Sequence, residues 1–200
     1  RSPDVLAKIQ MVFQNPQNSL NPYLSVRQTI RRPLMKLRGL SRQEADREVL
    51  ELLQAVNLRR EYAARYPGEL SGGEKQRVVI ARAFASDPDL IICDEPVSAL
   101  DVSVQSAVLN LLARLQDENG TSYLFISHDL AVVGYLADYL AVMYLGQLFE
   151  VGSAKELFNP PYHPYTEALV SAIPVASPEV RENRILLEGT VPSAQNVPSG

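Results

Sequence analysis

Apolar and polar positions alternate between two periods along this chain. Residues 9–13, Ile-Gln-Met-Val-Phe, form a short apolar run that predicts a strand, and Gln14-Asn15-Pro16 predicts the loop after it. Residues 17–68 are mostly helical in pattern. Ser25 with Gln28, and more clearly Ser41 with Glu44, have the spacing of capping boxes, and Pro33 is expected to limit the first of these helices. In the second, Ala45, Val49, Leu52, Leu53 and Val56 share one face, and Pro67-Gly68 closes the segment. From Glu74 to Ala85 the apolar residues nearly encircle a helix, which predicts burial; Arg77 and Arg82 are expected to form structural ion pairs. Asp87-Pro88 ends it. Residues 90–93, Leu-Ile-Ile-Cys, then read as a buried parallel strand.

Asp101 is placed to N-cap the next helix, where Val104, Val108, Leu111, Leu112 and Leu115 keep helical spacing up to Asn119-Gly120. Residues 123–126 are a further strand, completing a β-α-β unit with parallel strands. A short helix at about 130–137, strand 139–144, a turn at Gly146-Gln147 and strand 148–151 predict a hairpin. Helices are expected around 154–158 and 165–172, a short strand at 185–187, and an irregular polar tail beyond. The pattern is that of an α/β fold.

Composition narrows the class. The 200 residues are 46% hydrophobic and 21% charged, enough for a core in one domain or slightly more. The net charge of −4 gives no support for a nucleic-acid partner. A single cysteine, Cys93, excludes a disulfide framework, and its place in an apolar strand makes it a buried hydrophobe. With two histidines and one cysteine, no protein zinc site is expected; His163, beside prolines, is read as structural. No apolar run is long enough to span a bilayer and no signal peptide is seen, so a cytoplasmic location is expected, with any membrane role exercised through a docked partner.

The chemistry concentrates in residues 70–101. Ser71-Gly72-Gly73 opens a helix, so unpaired N–H groups and the helix dipole create an anion site. Asp94 and Glu95 stand at the carboxyl end of a predicted parallel strand, the edge where open α/β sheets hold ligands. An oxygen ligand for a hard cation and a base are thereby adjacent. His128 follows the next strand end, one β-α-β unit later.

These residues resemble a known family. Residues 70–76, Leu-Ser-Gly-Gly-Glu-Lys-Gln, resemble the signature motif of ABC-type ATPases, residues 90–95 their Walker B strand, and residues 98–101 their D-loop. Gln14 resembles the Q-loop glutamine and His128 the switch histidine. Asn15-Pro16, residues 19–22, residues 101–105 and residues 163–166 are similar to the ATP-binding subunits of oligopeptide and dipeptide importers.

The resemblance implies an ABC ATPase core over residues 1–155, with a helical subdomain at about 17–80 and a docking groove for a transmembrane helix end near 17–23. Residues 156–200 would form the peptide-importer type of C-terminal extension. It implies ATP and Mg²⁺ as cofactors, with Asp94 and Gln14 at the metal and Glu95 as general base. His128 would lie at the γ-phosphate. Ser71, Gly72, Gly73 and Gln76 would meet nucleotide held by a second ATPase subunit, with Asp101 acting across the same dimer interface. Partners would be that subunit, transmembrane permease subunits and, indirectly, an extracytoplasmic solute-binding protein, with no nucleic acid. Hydrolysis would drive uptake of peptides or similar small solutes. A soluble ABC-type ATPase without a membrane partner and a non-catalytic regulatory module are the alternatives.

One departure accompanies the resemblance: none of the ten glycines is followed by lysine, so the G-x-x-x-x-G-K-[ST] phosphate loop is not in these residues. The chain is therefore expected to be a piece whose phosphate loop lies upstream. Without that part, apolar surface near Ile91, Ile92 and Phe125 is expected to be partly uncovered.

Overall fold

The computed structural model describes residues 3–160, 163–173 and 185. The chain forms two compact units, Arg1–Ser127 and His128–Gly200.

The first unit begins with α1 (Pro3–Lys8), β1 (Ile9–Val12) and α2 (Pro16–Ser19). Then come α3 (Val26–Leu37), α4 (Arg42–Ala55), two 3-10 turns at Arg60–Ala64 and Pro67–Glu69, and α5 (Gly72–Phe84). β2 (Leu90–Asp94), α6 (Val102–Asn119) and β3 (Ser122–Ile126) complete it. The strands form a parallel sheet in the order β1-β2-β3, with Val12 opposite Cys93 and Asp94 opposite Ile126. Strand alternation divides its residues. Val12, Ile91 and Cys93 are buried on one face, while Ile9, Leu124 and Ile126 stand about half exposed on the other. The expected uncovered apolar surface is present on the face of Ile92, beside half-exposed Leu124, whereas Ile91 points to the covered side and is buried. Burial pushes the Cys93 thiol up to about 12, which suits a packing residue and not a nucleophile.

Both predicted capping boxes form, Ser25 with Gln28 on α3 and Ser41 with Glu44 on α4. Pro33 does not limit α3, which runs on to Leu37. Its missing N–H leaves the Thr29 carbonyl without a helical donor, but burial of Val26, Ile30 and Leu34 holds the helix together through it. The ion pairs expected of Arg77 and Arg82 are replaced by bonds to backbone carbonyls. Arg77 donates to the Val56 carbonyl at 2.9 Å, just past the end of α4, and Arg82 donates to the Ser19 carbonyl. Such carbonyls at helix ends lack donors of their own. α5 packs against α2, α3, α4, α6 and β1, so it is the axis of this unit. Its residues Val79, Ile80 and Ala81 are fully buried, as the encircling pattern requires.

The second unit contains α7 (Leu130–Leu136), an antiparallel hairpin of β4 (Tyr139–Tyr144) and β5 (Gln147–Ser153), α8 (Ala154–Leu157) and α9 (Pro164–Ser171). Leu145 and Gly146, at φ 47° and 80°, make the tight turn with both residues left-handed, the combination that matches strand twist. His163 caps α9, its Nδ1 accepting the Tyr165 N–H at 3.0 Å, and its ring lies 4.7 Å from that of Phe149. The structural reading of His163 holds. Leu186 and Leu187 of the expected strand at 185–187, and the tail beyond it, lie outside the described residues.

Candidate functional site

The turn at 70–73 is built from local chemistry. Ser71 is the N-cap of α5: its Oγ accepts the Glu74 N–H at 3.3 Å, and the Glu74 carboxylate accepts the Ser71 N–H at 2.8 Å. This leaves Ser71 and Gly72 exposed, with the first-turn N–H groups of Gly72 and Gly73 lacking helical acceptors. The two glycines differ. A Cβ on Gly73 would fall 2.5 Å from Val104 Cγ1 of α6, whereas one on Gly72 would rest 3.5 Å from Leu100. Gly73 is thus demanded by helix packing. Gln76 is placed otherwise than the exposed turn: it is fully buried, and neither atom of its side-chain amide has a hydrogen-bond partner.

A feature invisible in sequence ties this turn to the 3-10 segment at 60–64. The Tyr62 hydroxyl donates to the second carboxylate oxygen of Glu74, and the Arg65 guanidinium lies 4.0 Å from the centre of the Tyr62 ring. The Tyr62 hydroxyl, then the Ser71 N–H and the Arg65 charge, hold the Glu74 carboxyl below its ordinary value.

At the carboxyl end of β2, Asp94 is the last strand residue and Glu95 begins the turn. Glu95 has φ 43°, a left-handed conformation uncommon for a residue with a side chain. Its N–H donates to the Ile126 carbonyl of β3 at 3.0 Å, so sheet pairing extends into the turn. Gln14, two residues past β1, donates its amide to Glu95 Oε2 at 2.6 Å and to Ser98 Oγ at 3.4 Å. Ser98 Oγ in turn donates to the Glu95 carbonyl at 3.1 Å. The structure thereby joins Gln14 to Glu95, residues 81 apart in sequence. Neighbouring strands in one sheet achieve this. The amide nitrogen of Gln14 is spent on these bonds, and its carbonyl oxygen is not.

Asp101 occupies the N-cap position of α6, yet its side chain makes no capping bond and is exposed. His128 lies two residues beyond β3 and is exposed. Sequence reasoning did not single out Ser98 as a partner of Gln14, nor Tyr62 or Arg65. Only the fold brings them to their sites.

A cavity of about 410 Å³ opens beside α2 and α3. Ser19 and Asn21, within the predicted docking region, line it with Thr29, Pro33 and Gln10. Arg32, Lys36 and Arg82 contribute three cations and no carboxylate lines it. Thr29 Oγ1 is buried there without a hydrogen-bond partner.

The family described as ABC transporter matches residues 1–98. Over those residues the chain is similar to this family. Residues 149–200 match the C-terminal region of oligopeptide/dipeptide transporters. The chain is 51% identical over 193 residues to the dipeptide transport ATP-binding protein DppF of Haemophilus influenzae, covering 96% of this chain and 59% of that protein. It is 49% identical over 199 residues to the oligopeptide transport ATP-binding protein OppF of Escherichia coli, covering 98% and 60%. It therefore spans about 60% of the length of these curated relatives. Among solved structures, a dimeric ATP-binding cassette in a post-hydrolysis state with ADP and phosphate bound superposes with a TM-score of 0.64 at 33% identity, over 74% of this chain and 63% of that one. The cbiO1 component of an ABC transporter complex from Clostridium perfringens gives a TM-score of 0.70 at 30% identity, over 77% and 60%. The fold is that of ABC ATPase domains.

Proposed function

We propose that this chain is the catalytic-carboxylate and dimer-facing part of an ATP-hydrolysing subunit of an importer for peptides or similar small solutes. The observation that carries this reading is the Asp94-Glu95 pair at the end of β2, with Gln14 bonded to Glu95, in a chain half identical to peptide-transport ATP-binding proteins. Residues 1–155 would be the ATPase domain, including the helical subdomain at about 17–80, and residues 156–200 the extension.

The residues fit Mg²⁺ bound with nucleotide. No group of three or more His, Cys, Asp and Glu side chains is clustered for a metal among the described residues. A metal held by one carboxylate, one amide oxygen and the phosphates needs no such cluster. Asp94 and the carbonyl oxygen of Gln14 would hold it. ATP supplies the γ-phosphoryl group that is transferred, and Mg²⁺ offsets its charge. Glu95 would accept the proton of the attacking water at a carboxylate oxygen. His128 would stabilise the γ-phosphate. Gly72 and Gly73 would present N–H groups, and Ser71 the O–H that its capping bond leaves as a donor, to nucleotide on a second ATPase subunit, with Asp101 beside that interface. Gln76, buried, would support this turn from within α5.

The phosphate loop these residues lack must come from sequence outside them, so residues 1–200 alone are not expected to hydrolyse ATP. The cavity beside α2 is the docking surface for a permease subunit. Its three cations suit the carboxyl end of a helix, where the dipole is negative. Among the described residues no helix is long and apolar enough to cross a membrane, which fits a subunit held on the cytoplasmic face by that contact. A solute-binding protein would act through the permease.

Glu95→Gln in the full-length protein tests the reading. It should leave ATP binding intact while lowering hydrolysis by about 10²–10⁴, the usual contribution of a general base. Steady-state hydrolysis near wild type would overturn it.

A further inference from the structure

The first turn of α5 poses an electrostatic problem. Ser71, Gly72 and Gly73 are assigned above to a partner subunit's nucleotide, which is strongly anionic. Glu74, one residue on, carries a carboxylate that folds back over the Ser71 N–H. Left to itself, that charge would stand beside the incoming phosphate and repel it. The structure deals with the charge partly from outside the motif. One carboxylate oxygen accepts the Ser71 N–H and the other accepts the Tyr62 hydroxyl. The Arg65 guanidinium lies against the Tyr62 ring at 4.0 Å and adds positive charge to the same corner. Tyr62 is itself fixed. The Arg65 N–H closes on the Tyr62 carbonyl at 3.0 Å, the Arg65 carbonyl accepts the Val26 N–H of α3 at 2.9 Å, and Ala63 between them is buried.

We propose that Tyr62 and Arg65 are positioning residues that hold the Glu74 carboxylate toward the 3-10 segment at 60–64, so that the Ser71 turn accepts a second subunit's nucleotide. The proposal rests on the reading of residues 71–73 as a contact for the partner's nucleotide. It assigns a role to a segment with no motif of its own, and it makes Glu74 a group whose charge is managed, not used.

The test uses the full-length protein assembled with its partner ATPase subunit. Tyr62→Phe keeps the ring and the Arg65 stack but removes the donor. It should raise the KM for ATP roughly tenfold, the scale of one lost hydrogen bond to a charged group, while kcat stays within about twofold. Glu74→Gln in the Tyr62→Phe background should return KM to within about twofold of Glu74→Gln alone, because a neutral amide does not repel phosphate. A KM unchanged by Tyr62→Phe overturns the proposal. A Tyr62→Phe penalty that persists undiminished beside Glu74→Gln also overturns it, since the residue would then act only as a packing element. Ser71→Arg separates the two levels. If it abolishes hydrolysis while Tyr62→Phe does nothing, only the positioning role fails. If Ser71→Arg leaves hydrolysis intact, the contact itself is misassigned.

Discussion

Two helices begin at the proposed dimer-facing surface, and they begin differently. α5 starts at Ser71 with a complete capping box, hydroxyl to Glu74 N–H and carboxylate back to Ser71 N–H. α6 starts at Asp101, whose backbone has the extended cap conformation but whose carboxylate bonds to nothing in the first turn. The start of α6 is closed by other means: the Gln105 side chain reaches back to the Leu100 carbonyl at 2.9 Å, and the Val104 N–H bonds to the Asp101 carbonyl. A residue type favoured at N-caps can thus hold the position without doing the capping. Where it does so on an exposed surface, its charge is available for another partner. Ser71 uses its hydroxyl oxygen as an acceptor inside the fold and keeps only the O–H for a partner; Asp101 does not spend its carboxylate there.

The two starts meet where Gly73 packs against Val104, and the largest stability effect is expected there. Gly73→Ala places a Cβ 2.5 Å from the stiff, branched Val104 side chain. Overpacking of this kind costs about 1–3 kcal/mol, more than the ~1 kcal/mol that alanine contributes by helix propensity. Gly72→Ala meets only an ordinary contact with Leu100 at 3.5 Å and should be neutral or slightly stabilising. Thermal unfolding of the two full-length variants decides between them. Equal midpoints would mean that α5 and α6 are not packed as described. If the clash is the cause, Val104→Ala in the Gly73→Ala background recovers most of the loss.

This contact shows where sequence reasoning ends. The elements themselves were legible, because apolar runs and 3.6-residue periodicity state which faces are buried. β1, β2 and β3, the parallel unit around α6, the hairpin and both capping boxes of α3 and α4 follow from such local patterns. Pairs distant in sequence were not legible. Gln14 and Glu95 are joined only because β1 and β2 are neighbours in the sheet. Tyr62 meets Glu74 across a turn that propensities do not specify. Pro33 looked like a stop, but tertiary burial of α3 outweighed its local cost. Arg77 and Arg82 looked like ion-pair formers because their charge is visible in sequence and the orphan carbonyls they serve are not. For the site, residue types were readable while partners were not.

A second, smaller effect is expected at Ser71. Ser71→Ala removes the bond to the Glu74 N–H and half of the box, which costs about 1 kcal/mol at a typical N-cap. The Glu74 carboxylate still accepts the Ser71 N–H, so the helix start should not unravel. Thermal unfolding of the full-length variant should show a modest drop, smaller than for Gly73→Ala. A drop as large as that of a core truncation, about 2–5 kcal/mol, would mean that the turn is held by Ser71 far more than its two local bonds explain.

The smallest stability effect should come from Asp101, and it is the most informative for that reason. With no bond from its carboxylate to the first turn of α6, Asp101→Ala removes no structural contact. What remains is the general preference for a polar residue at a helix start, together with a carboxylate near the positive end of the dipole, worth a few tenths of a kcal/mol on an exposed surface. The unfolding midpoint should therefore stay within about 0.5 kcal/mol of wild type, the ordinary range of a surface substitution. Function should not stay the same. If the carboxylate is left for a partner subunit, Asp101→Ala lowers ATP-dependent assembly with that subunit while each chain remains as stable as before. Gel filtration with and without nucleotide, run beside thermal unfolding, reads both quantities. Weaker assembly at unchanged stability supports the comparison between the two helix starts. A full N-cap loss of about 1 kcal/mol or more, with assembly intact, would show that Asp101 caps α6 in solution as Ser71 caps α5.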